Sequence, residues 1–371
     1  MLTRLYVTNY RCLVNFEFKP SNKQLIIGRN GTGKSTVFDV LALLREVVVH
    51  DILFERNLGG DTRTRWQDVA EQQFELDVKG NGGDYRYTLV VADMGRPPYP
   101  LVKQETLDYD GKPLFRFQEG KITQFDDDHK PTPNLPFDFP RGRSGLVTVD
   151  GERKDSTKLA WFKRWLGRLQ QVQINPWAMS ARSEHESNRL AKDMSNFADW
   201  YRGLLLEEGN IVIEAKKSLF EDMPGLQALN LKEAGLGVRI LQAAMRGPNR
   251  EAIDLPFSEV SEGQRALIAL YMLVYCALTP DRTLLIDEPD NFIALAEIQP
   301  WLMKLLDRVD EIGGQVILVS HHPELLDQLA SQGGVLLDRP NGGETRVRPF
   351  EPTEGSGLKA SEIIARGWEG A

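Results

Sequence analysis

The segment Gly28-Arg29-Asn30-Gly31-Thr32-Gly33-Lys34-Ser35 constrains this chain more than any other stretch. Its spacing, G-x-x-x-x-G-K-[ST], suits a loop that wraps phosphate with backbone N–H groups, and such a loop needs a strand before it and a helix after it. The sequence predicts both. Residues 24–27 read as a short strand ending at Gly28, and from Lys34 the apolar positions Val37, Val40, Leu41 and Leu44 recur at i, i+3, i+4 and i+7. The glycines allow a tight turn and a close approach of backbone N–H groups to β- and γ-phosphates. Lys34 adds a point charge, and the Ser35 hydroxyl is a candidate Mg²⁺ ligand. Asn30, Gly31, Thr32 and Thr36 complete the candidate phosphate-binding set. Taken alone, the segment also fits a Gly-rich turn before an ordinary helix.

Composition bounds the rest. The 371 residues are 41% hydrophobic and 26% charged, which is enough apolar material for a buried core and argues against a disordered or fibrous chain. A net charge of -8 excludes a uniformly basic nucleic-acid coat, so any contact with DNA or RNA needs a local patch. Two distant cysteines, Cys12 and Cys276, make no disulfide framework or zinc module and fit a reducing compartment. The longest apolar run, residues 266–278, is shorter than the roughly 20 residues a membrane span requires and reads as a buried helix. With no signal-like N-terminus, the expectation is a soluble cytoplasmic protein without membrane contact.

Further along, residues 74–78 and 85–89 flank the turn signal Gly80-Asn81-Gly82-Gly83, and 114–117 with 122–125 flank Gln118-Glu119-Gly120, predicting an antiparallel meander over about 70–125. Residues 130–145 are Pro-rich and loop-like, and 156–234 show helical periodicity. Residues 284–286 and 316–319 are short apolar runs of the kind buried on both faces in parallel strands. The expected architecture is an α/β core from residues 1–60 and 236–345, interrupted by a β-then-α lobe at 61–235 and followed by a tail at 346–371.

Three further motifs carry chemistry. Leu284-Leu285-Ile286-Asp287-Glu288-Pro289 is an apolar strand ending in two carboxylates; Asp287 suits a Mg²⁺ water shell, and Glu288 suits a base that orients and deprotonates a water. A helix N-cap would explain one carboxylate. Ser261-Glu262-Gly263-Gln264-Arg265 opens the apolar helix 26 residues before Asp287; read without any family it is a plain N-cap with an acidic first turn. Val316-Ile317-Leu318-Val319-Ser320-His321-His322-Pro323-Glu324 is a strand ending in two histidines, which are more often structural when met singly.

With these four motifs in order, the chain resembles ABC-type ATPases of the RecF, SMC and OLD branch, a P-loop NTPase head with a mixed sheet. Asn9-Tyr10-Arg11 resembles the start of RecF and SMC heads, and the runs 287–301 and 320–324 with Ala365-Arg366-Gly367-Trp368 are most similar to stand-alone bacterial AAA-21 ATPases. The family signature has the form Ser-Gly-Gly-Gln, so Glu262 departs from it. The resemblance implies ATP and Mg²⁺ as cofactors. It implies a homodimer in which Ser261, Gly263 and Gln264 meet the γ-phosphate held by the other subunit, and a histidine switch at His321, with His322 the alternate. It also implies a separate nuclease or TOPRIM-like partner in phage defence or DNA maintenance. Gln170, Gln171 and Gln173 are candidates for the family's Gln-loop, against the alternative of a solvated helix end. A nucleotide-gated scaffold or a RecF-like recombination mediator are the competing functions.

Residues 141–168 hold eight basic side chains against three acidic ones, with Trp161 and Trp165 between them. Arg141, Arg143, Arg153, Lys154, Lys163, Arg164 and Arg168 are candidate DNA contacts, the alternative being the solvated face of an amphipathic helix. Asp126-Asp127-Asp128-His129 and Glu184-His185-Glu186 lack metal-ligand spacing and read as solvated. No nuclease signature is visible.

Overall fold

The computed structural model describes residues 1–95, 99–132, 139–149, 154–249, 251–351 and 357–367. In chain order the elements begin with β1 (Leu2–Thr8), β2 (Phe16–Phe18), β3 (Lys23–Ile27), α1 (Lys34–Val49), β4 (Glu71–Gly80), β5 (Gly83–Met94), β6 (Tyr99–Tyr109), β7 (Lys112–Gln118) and β8 (Lys121–Gln124). There follow α2 (Thr157–Arg168), β9 (Gln170–Gln173), β10 (Arg182–Ser183), α3 (Phe197–Glu207), α4 (Gly209–Asp222), β11 (Leu226–Glu233), β12 (Arg239–Arg246) and β13 (Ala252–Pro256). The last are α5 (Glu262–Met272), β14 (Thr283–Asp287), α6 (Leu295–Ile312), β15 (Gln315–Val319), α7 (Pro323–Leu329), β16 (Val335–Asp338), β17 (Arg346–Pro349) and α8 (Ala360–Ala365). None of the described helices is long and apolar enough to cross a membrane.

The chain forms two compact units, one of residues 1–21, 26–169 and 335–349, the other of 22–25, 170–334 and 350–371. The segment 61–235 is therefore not one compact lobe, and strand pairing is the physical reason. β1 pairs antiparallel with β4, with Leu5 opposite Leu76, which ties the meander to the N-terminal strands. β9 pairs in parallel with β14, which draws the chain from residue 170 onward into the other unit.

In the first unit a seven-stranded antiparallel sheet runs β2-β1-β4-β5-β6-β7-β8. Three of its hairpins, β4–β5, β6–β7 and β7–β8, turn on Asn81-Gly82, Asp110-Gly111 and Glu119-Gly120, each pair at positive φ as a type I′ turn requires. The expected meander is present. It contains one strand that its residues conceal: β6 carries Lys103-Gln104-Glu105 at mid-length, yet Glu105 points inward and is fully buried. The Tyr87 hydroxyl donates to Glu105 Oε1 at 2.8 Å, the Ser144 hydroxyl to the same oxygen at 2.5 Å, and the Gly145 N–H to Oε2 at 2.7 Å. Burial pushes the Glu105 pKa up, and these donors pull it back. Helix α2 closes on the sheet through Trp161, which stacks on Tyr85 at 5.0 Å and occupies the space a side chain at Gly80 would need. Strand β16 pairs with the end of β3 (Val335 with Ile26, Leu336 with Ile27) and antiparallel with β17.

The second unit holds a parallel ladder in which β14 lies between β15 and β9. All five residues of β14 and all five of β15 are buried, as their apolar runs predict. At the start of this pair the Thr283 hydroxyl donates to Gln315 Oε1 at 2.8 Å in a buried bond. The apolar run 266–278 is helical as far as Ala277 and buried except at the half-buried Tyr275, with α5 passing into a π-helical turn at Leu273–Ala277. The helical reading of 156–234 holds for α2, α3 and α4 but misses β9, β10 and β11. β11 pairs antiparallel with β12, which also takes β10 and β13.

Replacing Glu105 with Leu leaves two hydroxyls and an N–H without their acceptor. We expect it to destabilise the protein by about 2–4 kcal/mol in urea unfolding, and Glu105→Gln to cost less.

Candidate nucleotide-binding site

The phosphate loop lies in the first unit, between the end of β3 and α1. Gly28 (φ 154°) and Gly33 (φ 100°) adopt backbone that favours glycine, and each sits where no side chain fits. A Cβ at Gly28 would lie 2.4 Å from the Leu337 carbonyl oxygen, and one at Gly33 2.8 Å from Thr345 Oγ1. The Thr345 hydroxyl donates to the Thr32 carbonyl at 2.8 Å, and its N–H to the Cys12 carbonyl at 2.9 Å. Arg339 donates to the Gly31 carbonyl at 3.0 Å, and its guanidinium lies over the half-exposed Trp66 ring, 5.6 Å from the centroid. Thr32 closes the turn by donating to the Arg29 carbonyl at 2.9 Å. No local signal in the sequence marks Arg339, Thr345 or Trp66, because they reach the loop only through folding.

Lys34 is buried, and its ammonium donates to the Gly28 carbonyl at 2.6 Å and the Arg29 carbonyl at 3.1 Å, so a positive charge is fixed at the loop. Helix α1 begins with no side-chain cap and no acidic residue in its first turn, which leaves its positive end to an anion. Asn30, Gly31 and Ser35 are exposed, Thr36 is half-buried and Thr32 is buried. Nearby, Asn9 and Arg11 hold positive φ. Asn9 Nδ2 donates to the Val69 and Glu71 carbonyls, and Arg11 pairs with Asp39 of α1 at 2.7 Å.

The other motifs gather in the second unit. Asp287 ends β14 opposite Val319 of β15 and Gln173 of β9, and it is buried. Glu288 turns out of the strand at φ 49°, with its N–H on the Val319 carbonyl at 2.8 Å, and Asn291 Nδ2 donates to Glu288 Oε2 at 2.8 Å. Past β15 the Ser320 hydroxyl donates to Asp290 Oδ1 at 2.6 Å and accepts the His322 N–H at 2.9 Å. His322 caps α7, its Nδ1 accepting the Glu324 N–H at 3.2 Å, whereas His321 is exposed. Of the glutamines, Gln170 and Gln171 are buried, with Gln170 Nε2 on two backbone carbonyls, and Gln173 is the exposed one.

Ser261 caps α5, its hydroxyl oxygen accepting the Gln264 N–H at 3.3 Å; Ser261 and Glu262 are exposed, and Gly263 and Gln264 half-buried. The plain N-cap geometry is thus present together with the motif order.

The basic segment is spread over several tasks. Arg141 donates to the Val102 carbonyl, Arg143 pairs with Asp51 at 2.7 Å, and Lys163 donates to the Val149 carbonyl at 2.9 Å. Lys154, Arg164 and Arg168 are exposed. Arg153 and Trp368 lie outside the described residues. Asp127 caps α2, accepting the Thr157 and Lys158 N–H groups.

The family model AAA_21, described as an AAA domain, putative AbiEii toxin, Type IV TA system, matches residues 25–327. The chain belongs to this family. Over 89 residues, 24% of this AAA_21 chain and 13% of the relative, it is 34% identical to the ABC transporter ATP-binding protein ARB1 of Saccharomyces cerevisiae, so it spans a small part of that protein's length. Among solved structures it is similar to an SMC head bound to the C-winged helix domain of ScpA, at 12% identity and a TM-score of 0.58, covering 94% of this chain and 98% of that one. An SMC head domain from Thermotoga maritima matches at 13% identity and a TM-score of 0.48, covering 95% and 99%. The fold is that of a P-loop NTPase of the ABC-type, SMC-head class.

Alanine at Gly33 would carry about 1–2 kcal/mol of backbone strain besides its contact with Thr345. We expect Gly33→Ala to lower ATP affinity about tenfold or more in calorimetric titration while the far-ultraviolet circular dichroism stays unchanged.

Proposed function

We propose that this chain is an ATP hydrolase whose nucleotide state controls association with a second copy of itself. The observation that carries the reading is the carboxylate pair after β14: Asp287 is buried, while Glu288 is turned outward and one of its oxygens is held by Asn291. A buried carboxylate suits a fixed charge, and an oriented, more open one suits a base. Ser35 and Asp287 each carry the hard oxygen donor that Mg²⁺ takes, and each is a proposed ligand on this reading. When bound, Mg²⁺ neutralises charge on the phosphate oxygens.

The chain's own groups do the rest on this reading. The α1 N-terminus, the N–H groups of residues 30–36 and Lys34 bind the phosphates. Glu288 orients water and takes its proton, and His321 stands ready as a polar contact to the γ-phosphate. Gln173, exposed at the end of β9 opposite Asp287, is the favoured Gln-loop residue. Ser261, Gly263 and Gln264 at the start of α5 receive the γ-phosphate carried by the second copy, so ATP bridges two chains and hydrolysis releases them.

The family's description, which names a putative toxin of a Type IV TA system, supports a role of the toxin–antitoxin or defence kind. A cytoplasmic place, and an output through DNA or a separate nuclease or TOPRIM-like effector, belong to the same proposal. If hydrolysis only times a nucleotide-gated scaffold, output survives Glu288→Gln and is lost with Lys34→Ala. A RecF-like mediator instead binds double-stranded DNA in an ATP-dependent manner that falls steeply with salt.

Lys34→Ala should abolish ATP binding. Glu288→Gln should bind ATP, turn over at least about a hundredfold more slowly, and accumulate as an ATP-bound dimer in size-exclusion chromatography with light scattering. Normal turnover in Glu288→Gln would falsify the assignment of the base. Asn291→Ala should lower kcat about three- to tenfold and leave KM within about twofold, because it frees Glu288 without removing it.

A further inference from the structure

Three segments of the second unit meet at the start of α5. The Trp177 indole N–H donates to Glu262 Oε1 at 2.6 Å. The Trp177 ring stands edge-on to Phe292, with centroids 5.1 Å apart, and Arg265 of α5 donates to the Pro176 carbonyl at 2.6 Å. A Cβ on Gly263 would lie 2.8 Å from the Phe292 carbonyl oxygen, so glycine lets the loop after β14 come this close. Trp177 is nevertheless 69% exposed. Burial does not account for a large aromatic held there; its three anchors do.

Glu262 is the first residue of α5 and follows the capping Ser261. A carboxylate at that position favours its own helix, whose N-terminus is positive. For the same reason it competes with any anion that approaches the helix end, and two negative groups brought together there repel. The indole N–H is a neutral donor, so it can occupy the carboxylate without adding a cation that would bind phosphate for itself. Phe292 and the Pro176 anchor fix the ring from the other sides.

We propose that Trp177 is a positioning residue: it holds the Glu262 carboxylate so that Ser261 and the α5 N-terminus can receive the γ-phosphate carried by a second copy of this chain. The inference rests on the dimer reading above. It explains how glutamate stands where the resembling signature has glycine, and it links the loop after β9, the start of α5 and the loop after β14 at one point.

The test uses the full chain with Glu288→Gln as parent. Trp177→Phe keeps a ring and removes the N–H. ATP-dependent association should weaken about tenfold or more, while binding of a fluorescent ATP analogue to the isolated chain and the thermal midpoint stay at the parent's values. Adding Glu262→Gln to Trp177→Phe should restore association to within about threefold, since charge is the obstacle and the amide has none. Unchanged association in Trp177→Phe, or a defect that Glu262→Gln leaves in place, overturns the proposal. Should Trp177→Phe lower the thermal midpoint, Glu262→Gln alone decides: it should associate at least as tightly as the parent, and weaker association overturns the proposal. A parent that binds ATP and stays monomeric sinks the dimer reading and this inference with it. A parent that dimerises, with Trp177→Phe indistinguishable from it, sinks this inference alone.

Discussion

The parallel register of β9, β14 and β15 is the constraint on which the second unit's chemistry depends. Apolar residues on both faces of a strand give no preference for one register over its neighbours, because a slip exchanges one buried side chain for another. Hydrogen bonds supply what the apolar pattern lacks. At one end of the β14–β15 pair the buried Thr283 hydroxyl donates to Gln315, and at the other the Glu288 N–H reaches the Val319 carbonyl. A slip would strand a buried polar group at a cost of about 1–3 kcal/mol. Gln173, Asp287 and Val319 therefore finish level, and the Ser320, Asp290 and His322 hydrogen bonds are built on fixed ends.

The phosphate loop is fixed by a different means. Its shape comes from backbone that glycine alone adopts comfortably, and from outside contacts that leave no room for another shape. Leu337 crowds Gly28, Thr345 crowds Gly33, and Arg339 holds the Gly31 carbonyl. The N–H groups thus do not have to be ordered when an anion arrives, and the entropy of ordering has been met during folding. Lys34 is likewise held by loop carbonyls. Its bonds there are ones a phosphate oxygen can replace.

What was legible in the sequence follows from the range of the interactions. The phosphate loop, the buried strands β14 and β15, the hairpin turns at Asn81 and Glu119 and the helix at residue 262 are written in neighbouring residues. β6 was concealed because Glu105 breaks an apolar alternation and is satisfied only by Tyr87, Ser144 and Gly145 from elsewhere. β9, β10 and β11 read as helix because short mixed segments do not separate a period of two from one of 3.6. The expected lobe at 61–235 failed as a compact unit because partners of β4 and β9 lie far away in sequence. Arg339, Thr345 and Trp66 were invisible for the same reason.

The basic segment at 141–168 shows why a charge count along the chain is a poor guide to a surface. A loop outside the ladders leaves carbonyls that need donors, and long cationic side chains are well suited to supply them. Lys163 serves the loop carbonyls of Val147 and Val149, and Arg141 reaches from the loop to the Val102 carbonyl of β6. Lys158 serves Asp127 and lies over the Tyr109 ring. Trp161 and Trp165, which interleave with these cations in sequence, are packed on Tyr85 and Phe162 and are not offered to bases. Charge that looked like a phosphate-binding face is in large part the means by which this loop and α2 are held to the sheet. Among the described residues of the segment, the cations that remain exposed are Lys154, Arg164 and Arg168, and any nucleic-acid contact made here has to be argued from those three.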